Sequence, residues 1–285
     1  MLLSNGASMP DPEVPMTRFP LTALCLSLTL GTAALAEEPR NPLQDGETWD
    51  YLRADILDAG KALSSGAIFA VDAPYRAHDA ATVPVVVTQT DQSVGPITTL
   101  KLVVDENPAP LAAEITFGPA MAPLSFETRV RVNAYSNLRV VAETASASYI
   151  DGRFVKAAGG CAAPATRDPE VALAHMGEMR LRHFDTAPVQ IGSRRDAQLM
   201  IRHPNYSGLQ RDQITQLFVP AHFIQDLTVW QGDEMLFSLT GGISISEDPV
   251  FRFSYTDNGT PDLRIRAEDT EGNVFEDLLP KAGAS

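Results

Sequence analysis

The chain has 285 residues, 44% of them apolar, with 36 acidic against 22 basic side chains and a net charge of -14. Such a balance repels nucleic acid and anionic lipid, so the expected partners are small molecules or proteins with basic patches, with no nucleic acid and no membrane among them. Beyond residue 36 no apolar run approaches the ~18 residues of a membrane span, and the length suits two ordinary domains.

The N-terminus reads as a cleaved secretory signal over residues 1–36. Met16-Thr17-Arg18 gives a weakly basic start, residues 21–35 an apolar core, and Ala34-Leu35-Ala36 a small-x-small cleavage pattern before Glu37-Glu38. Asp11 and Glu13 do not suit such a start, which points to Met16 as the true first residue. Cys25 falls in the removed segment, and Thr22 and Leu24 do not fit a lipid-attachment motif around it. Export therefore leaves one thiol, Cys161, which cannot close an internal disulfide.

Residues 45–63 read as a helix, with Trp49, Leu52, Ile56 and Leu57 at helical spacing. Strand patterns follow at 67–71, 82–88 and 97–104, the last ended by the turn cluster Asp105-Glu106-Asn107-Pro108-Ala109-Pro110. From 126 to 132 apolar and charged residues alternate, with Phe126, Thr128, Val130 and Val132 on a core face and Glu127, Arg129 and Arg131 on the other. Strands at 138–142 and 153–155 complete the first block.

Residues 157–166 read as a flexible stretch. A linker helix is expected from Asp168-Pro169-Glu170, with Val171, Leu173, Ala174 and Leu181 as its stripe and Arg180, Arg182 and His183 at its end. The second block has strands at 198–202, 218–223, 227–230, 235–239, 250–255, 263–267 and 273–276, with a hairpin turn at Gln231-Gly232-Asp233-Glu234. The expected fold is all-β: two immunoglobulin-like β-sandwich domains joined by a flexible loop and a short helix. The boundaries are 37–156, 157–184 and 185–285, each sandwich with its own core.

Only a thiolate is a good nucleophile. The cations nearest Cys161 in sequence, Arg153, Lys156 and Arg167, would favour that form, and Gly159 and Gly160 give the backbone freedom of a hinge. The expectation is an arm that holds the sulfur out in water.

With Gly159-Gly160-Cys161 closing the first block, the chain resembles SoxY, the sulfur carrier of periplasmic thiosulfate oxidation, whose immunoglobulin-like domain ends in a Gly-Gly-Cys-Gly-Gly arm. Val83-Pro84-Val85-Val86-Val87, the 105–110 turn and Thr128-Arg129-Val130-Arg131-Val132 match its other landmarks. The second block resembles its partner SoxZ in Ile201-Arg202-His203-Pro204 through Gly208, in the 242–249 segment from Gly242 to Pro249, and in Asp269-Thr270-Glu271-Gly272.

The chain is most similar to fused SoxYZ-like carriers associated with quinoprotein dehydrogenases. The resemblance implies a periplasmic carrier, not an enzyme, that holds sulfur intermediates on Cys161 as a persulfide or S-thiosulfonate, with Gly159 and Gly160 as hinge. No cofactor is expected, the expected partners are periplasmic sulfur-processing or quinoprotein-dehydrogenase proteins, and fusion of the subunits leads to the expectation of a monomer, although exposed edge strands leave pairing open. Here Ala162-Ala163-Pro164 replaces the second glycine pair and the cysteine lies mid-chain, which makes the arm a tethered loop.

Two other readings stand beside it. One is an accessory subunit of a periplasmic dehydrogenase in which Cys161 is dispensable. The other is copper delivery through His175, Met176, Met179 and His183 with Cys161, since soft ligands hold Cu(I); packing roles for the methionines are favoured, and no metal site is assigned. His203 reads as structural, and His78 and His222 as isolated. Asn205-Tyr206-Ser207 and Asn258-Gly259-Thr260 match a glycosylation triplet that is common by chance.

Overall fold

A computed structural model describes residues 41–57, 62–64, 67–164, 169–184 and 191–281, all within one compact unit. The signal segment, Cys25, Arg167 and Asp168 lie outside the described residues.

The first half comprises α1 (Thr48–Ile56) and β1 (Ala62–Leu63), β2 (Phe69–Asp72), β3 (Val83–Gln89), β4 (Thr99–Val104), β5 (Leu111–Phe117), β6 (Ser125–Val130), β7 (Ser136–Glu143) and β8 (Ala147–Val155). After the short α2 (Pro169–Ala174), the second half comprises β9 (Met179–His183), β10 (Arg194–Ile201), β11 (Ile224–Gln231), β12 (Glu234–Gly241), β13 (Val250–Thr256), β14 (Asp262–Asp269) and β15 (Val274–Pro280). The all-β sandwich expectation holds.

The two halves do not have separate cores. A nine-stranded sheet runs β1-β8-β7-β4-β5-β12-β11-β14-β15, and a six-stranded sheet runs β2-β3-β6-β13-β10-β9. Both sheets cross the seam between the halves. In the larger sheet β5 pairs antiparallel with β12, from Phe117 opposite Phe237 to Ala113 opposite Gly241. In the smaller, β6 pairs with β13 through Phe126 opposite Phe253. Edge strands expose unpaired backbone groups, and here each half covers the other's edge.

One apolar cluster fills the space between the sheets from Ile68 to Ala267. Phe126 joins it across the seam, its ring 5.4 Å from Phe117 and from Phe237 and 6.3 Å from Phe251. Arg194 adds a polar clasp, donating to the carbonyls of Ala120 (2.9 Å), Met121 (2.9 Å) and Ala122 (3.0 Å) in the first half.

Four local expectations change. The first helix ends at Ile56, because Leu57 turns to extended backbone. Residues 179–183 are a strand on the edge of the smaller sheet, not the end of the linker helix. Gly177, at φ +87°, breaks the helix and donates to Arg202 O, and Arg180 then lies opposite Met200. Residues 218–223 form a loop with isolated bridges at Phe218 and His222. β5 was not expected, although Ala113, Ile115 and Phe117 alternate inward along it.

The continuous core predicts that Phe126→Ala lowers stability by about 3–5 kcal/mol. A urea titration followed by far- and near-ultraviolet circular dichroism should keep one shared transition. Loss of one half's signal ahead of the other's would contradict the single core.

Candidate functional site

The Gly-Gly-Cys segment leaves β8 and turns at the seam. Gly159 sits at φ +79°, a left-handed conformation that suits glycine, and its N–H donates to Asn133 O at 2.8 Å. Gly160 donates to Val132 O at 3.0 Å. A Cβ on Gly160 would overlap the Ala80 carbonyl oxygen and lie 2.7 Å from Val132 O. Gly159 therefore serves the turn through its left-handed backbone and Gly160 through its close packing.

Cys161 is fully buried, which corrects the expectation of a sulfur held out in water. It lies outside the continuous apolar cluster. Its cover is the 205–210 loop of the second half: Ser207 Oγ donates to Cys161 O, and Gln210 Nε2 donates to Ala163 O at 2.9 Å. The 157–164 stretch is thus an ordered, hydrogen-bonded turn rather than a flexible arm. The groove between Ala162 and Pro164 on one side and Leu209, Arg211 and Gln216 on the other measures about 270 Å³ and borders this turn.

The charge on the thiol comes from a residue expected to face solvent. Arg131 follows the end of β6, where the alternation would place it outward, yet it is 1% exposed. The 242–249 segment covers it, and Arg131 N donates to Ser244 O at 2.7 Å. Its guanidinium donates through Nη1 to Gly160 O (3.1 Å), the carbonyl of the Gly160–Cys161 peptide, and through Nη2 to Asn205 O (3.2 Å). Its Nε is buried and has no hydrogen-bond partner among the described residues.

Burial pushes the Cys161 thiol above its ordinary range, and the Arg131 charge pulls it partly back. Burial likewise lowers Arg131, opposed first by Cys161 and then by Glu247 and Asp79. The cations expected to act on the thiol are engaged elsewhere: Arg153 with Asp151 at 3.2 Å, and Lys156 over the Tyr75 ring at 4.7 Å.

The sequence landmarks meet at this turn. Asn107 of the 105–110 cluster donates to Arg131 O (2.7 Å) and Ser244 Oγ (2.9 Å), and its Oδ1 accepts from Asn133 N. Asn205, at φ 42°, donates to Ser246 O and accepts from Ile224 N, so it is not an open glycosylation acceptor. Asp248 Oδ1 accepts from His203 N.

Behind this loop, Asp269 Oδ2 accepts from His222 Nε2 (2.7 Å) and His203 Nε2 (3.4 Å), while Asn205 N donates to His203 Nδ1 (3.1 Å). These three buried groups have metal-ligand chemistry. The Asn205 N–H requires an unprotonated Nδ1 on His203, which puts the proton on Nε2, toward Asp269. A metal on Nε2 would force that proton onto Nδ1, against a donor, so the set fits a structural hydrogen-bond network. Burial lowers His203, which keeps it neutral. The proposed copper residues have separate partners: His175 pairs with Glu178 at 2.5 Å, His183 meets the Tyr255 hydroxyl at 3.2 Å, and Met179 packs in the core.

Burial alone would raise Asp269, but hydrogen bonds from Asn273, His222 and His203 outweigh it and bring its pKa from 3.8 to about 2. A depressed folded-state pKa stabilises the fold above the unfolded value, and that stabilisation fades as pH falls from 3.8 toward about 2. Asp269→Asn should therefore lower the urea midpoint at pH 7, with the gap to the unsubstituted protein closing near pH 2. A gap that stays constant with pH would contradict the network's ionic character.

Comparison with known proteins agrees with this convergence. The family model for sulfur oxidation protein SoxY matches residues 53–161, and that for sulphur oxidation protein SoxZ matches residues 184–279. No curated protein matches the chain. Among solved structures, the sulfur carrier protein SoxY from Chlorobium limicola f thiosulfatophilum is similar at 25% identity, with 38% of this chain and 92% of that chain covered and a TM-score of 0.31. A beta-glycosidase from Bacteroides vulgatus aligns at 9% identity over 78% of this chain and 25% of that chain, with a TM-score of 0.23. The first family match ends on the buried cysteine and the second starts one residue beyond β9, so the chain belongs to the SoxYZ sulfur carriers as a SoxY domain followed by a SoxZ domain.

Proposed function

We propose that the protein is a periplasmic carrier that holds a sulfur intermediate covalently on Cys161 and presents it to partner enzymes of sulfur oxidation. The observation that carries this reading is the SoxY match ending at Cys161, on a Gly-Gly-Cys turn walled by the other SoxY and SoxZ landmarks. The quinoprotein dehydrogenase link rests on the sequence resemblance, and so does the periplasmic site through the signal at residues 1–36. Fusion supplies the SoxY–SoxZ contact within one chain and makes a monomer sufficient.

Burial makes this a gated carrier. Besides Ala162 N to Gly159 O within the turn, residues 160–163 are held to the surrounding fold by four hydrogen bonds among the described residues, from Gly160 N to Val132 O and from Arg131, Ser207 and Gln210 to the carbonyls of Gly160, Cys161 and Ala163. At about 1 kcal/mol each, releasing them costs roughly 4 kcal/mol, which gives an open fraction on the order of 10⁻³. Gly159, whose Cβ position is open, is the pivot, and Gly160 is the residue that lets the turn close again. Once open, Cys161 Sγ loses its proton to water and forms an S–S bond with a reduced sulfur atom. The two electrons released go to a partner oxidoreductase.

Complete burial of the thiol also favours the accessory-subunit reading, in which Cys161 only packs. Intact-mass measurement of the protein from its native compartment separates the two. The carrier predicts sulfur-sized mass additions on Cys161, and loss of pathway function in a folded Cys161→Ser variant. An unmodified thiol together with full function of Cys161→Ser would establish the accessory role instead.

A further inference from the structure

We propose that Arg131 determines which cargo the site accepts: its buried guanidinium holds the negative charge of the group borne on Cys161, so anionic sulfur adducts are retained and cationic ones rejected. The inference rests on the carrier reading, whose persulfide and S-thiosulfonate adducts are anions, and adds the residue that reads their charge.

Three observations carry it. Arg131 is almost fully buried, where an uncompensated charge is costly. The hydrogen bonds of its guanidinium among the described residues run to two carbonyls, Gly160 O and Asn205 O, which supply partial rather than full negative charge. Its Nε is a further buried donor with no hydrogen-bond partner among the described residues, and an orphaned donor of this kind marks a place for an anion or a water. Nη1 grips the peptide immediately before Cys161, and the guanidinium and the thiol act on each other electrostatically, so the cation stands beside the sulfur.

The neighbouring carboxylates do not fill this role. Asp79 accepts from Ala81 N at 2.9 Å and Thr82 Oγ1 at 3.0 Å, Asp79 and Glu247 act on Arg131 electrostatically, and the guanidinium's bonds among the described residues go to carbonyls. A sulfonate-type oxygen or a persulfide anion on Cys161 would meet the Nε donor and neutralise the guanidinium. In a water-poor site that pairing is far stronger than on the surface. A cationic substituent would instead add a second positive charge to a volume that cannot hydrate it.

The test compares two thiol reagents of similar size on the purified full-length protein, sulfonatoethyl methanethiosulfonate and trimethylammonioethyl methanethiosulfonate. Each gives a mixed disulfide on Cys161, and the thiolate's attack on the reagent's sulfenyl sulfur releases methanesulfinate. Despite the chain's net charge of -14, the anionic reagent should react about tenfold faster than the cationic one, and its adduct should melt at the higher temperature. Arg131→Lys should keep the preference, while Arg131→Met should abolish it.

The melting comparison needs only the unsubstituted protein, so it decides even if Arg131→Met fails to fold. Equal or reversed preference in the unsubstituted protein, or an Arg131→Met variant that keeps the preference, overturns the inference and leaves the carrier reading in place. Modification of folded protein by neither reagent overturns the carrier reading, and the inference with it.

Discussion

The structure around the thiol depends on one buried guanidinium. Arg131 comes from the SoxY half, grips the peptide before Cys161 and reaches across the seam to the Asn205 carbonyl of the SoxZ half. A charge in that position is tolerated only while carbonyl dipoles and the thiol face it. Each landmark residue that meets there then has a physical task. Asn107 fixes the backbone at Arg131, Ser244 and Ser246 close the far wall, and the Asp269–His203–Asn205 network holds the carbonyl that Arg131 grips.

The seam shapes how the site can work. Because both sheets run through it and Phe126 stacks on rings from both halves, the halves cannot swing apart without losing the core. On the proposed carrier role, access to Cys161 comes from local release of the 160–163 turn. Global stability of a domain is about 5–15 kcal/mol, so breaking a few peripheral hydrogen bonds is the cheaper event. Burial that raises the thiol's pKa keeps the closed form unreactive.

Much of this was legible in the sequence, and what was missed has definite causes. Alternation at 126–132 placed Phe126, Thr128, Val130 and Val132 on the core face, as found. The same alternation put Arg131 in solvent, because period two describes one strand over one core and cannot see the 242–249 segment arriving from over a hundred residues away. β5 was missed because alanines dilute its pattern, and without it the seam between the halves was invisible. Residues 179–183 read as helix because Leu181 fits both periods, and only pairing with β10 decides between them. The Gly-Gly-Cys motif located the thiol but not its cover, since Ser207 and Gln210 lie about 45 residues downstream.

The central claim is that Cys161 becomes accessible by local opening of a folded protein. The direct measurement is the iodoacetamide alkylation rate of Cys161 as a function of urea below the unfolding transition. The account predicts a rate about three orders of magnitude below that of the unfolded chain and nearly flat in urea, because little surface is exposed when the turn opens. A rate that rises with the full slope of global unfolding would show that the thiol is reached only by unfolding the whole sandwich, and would contradict the account.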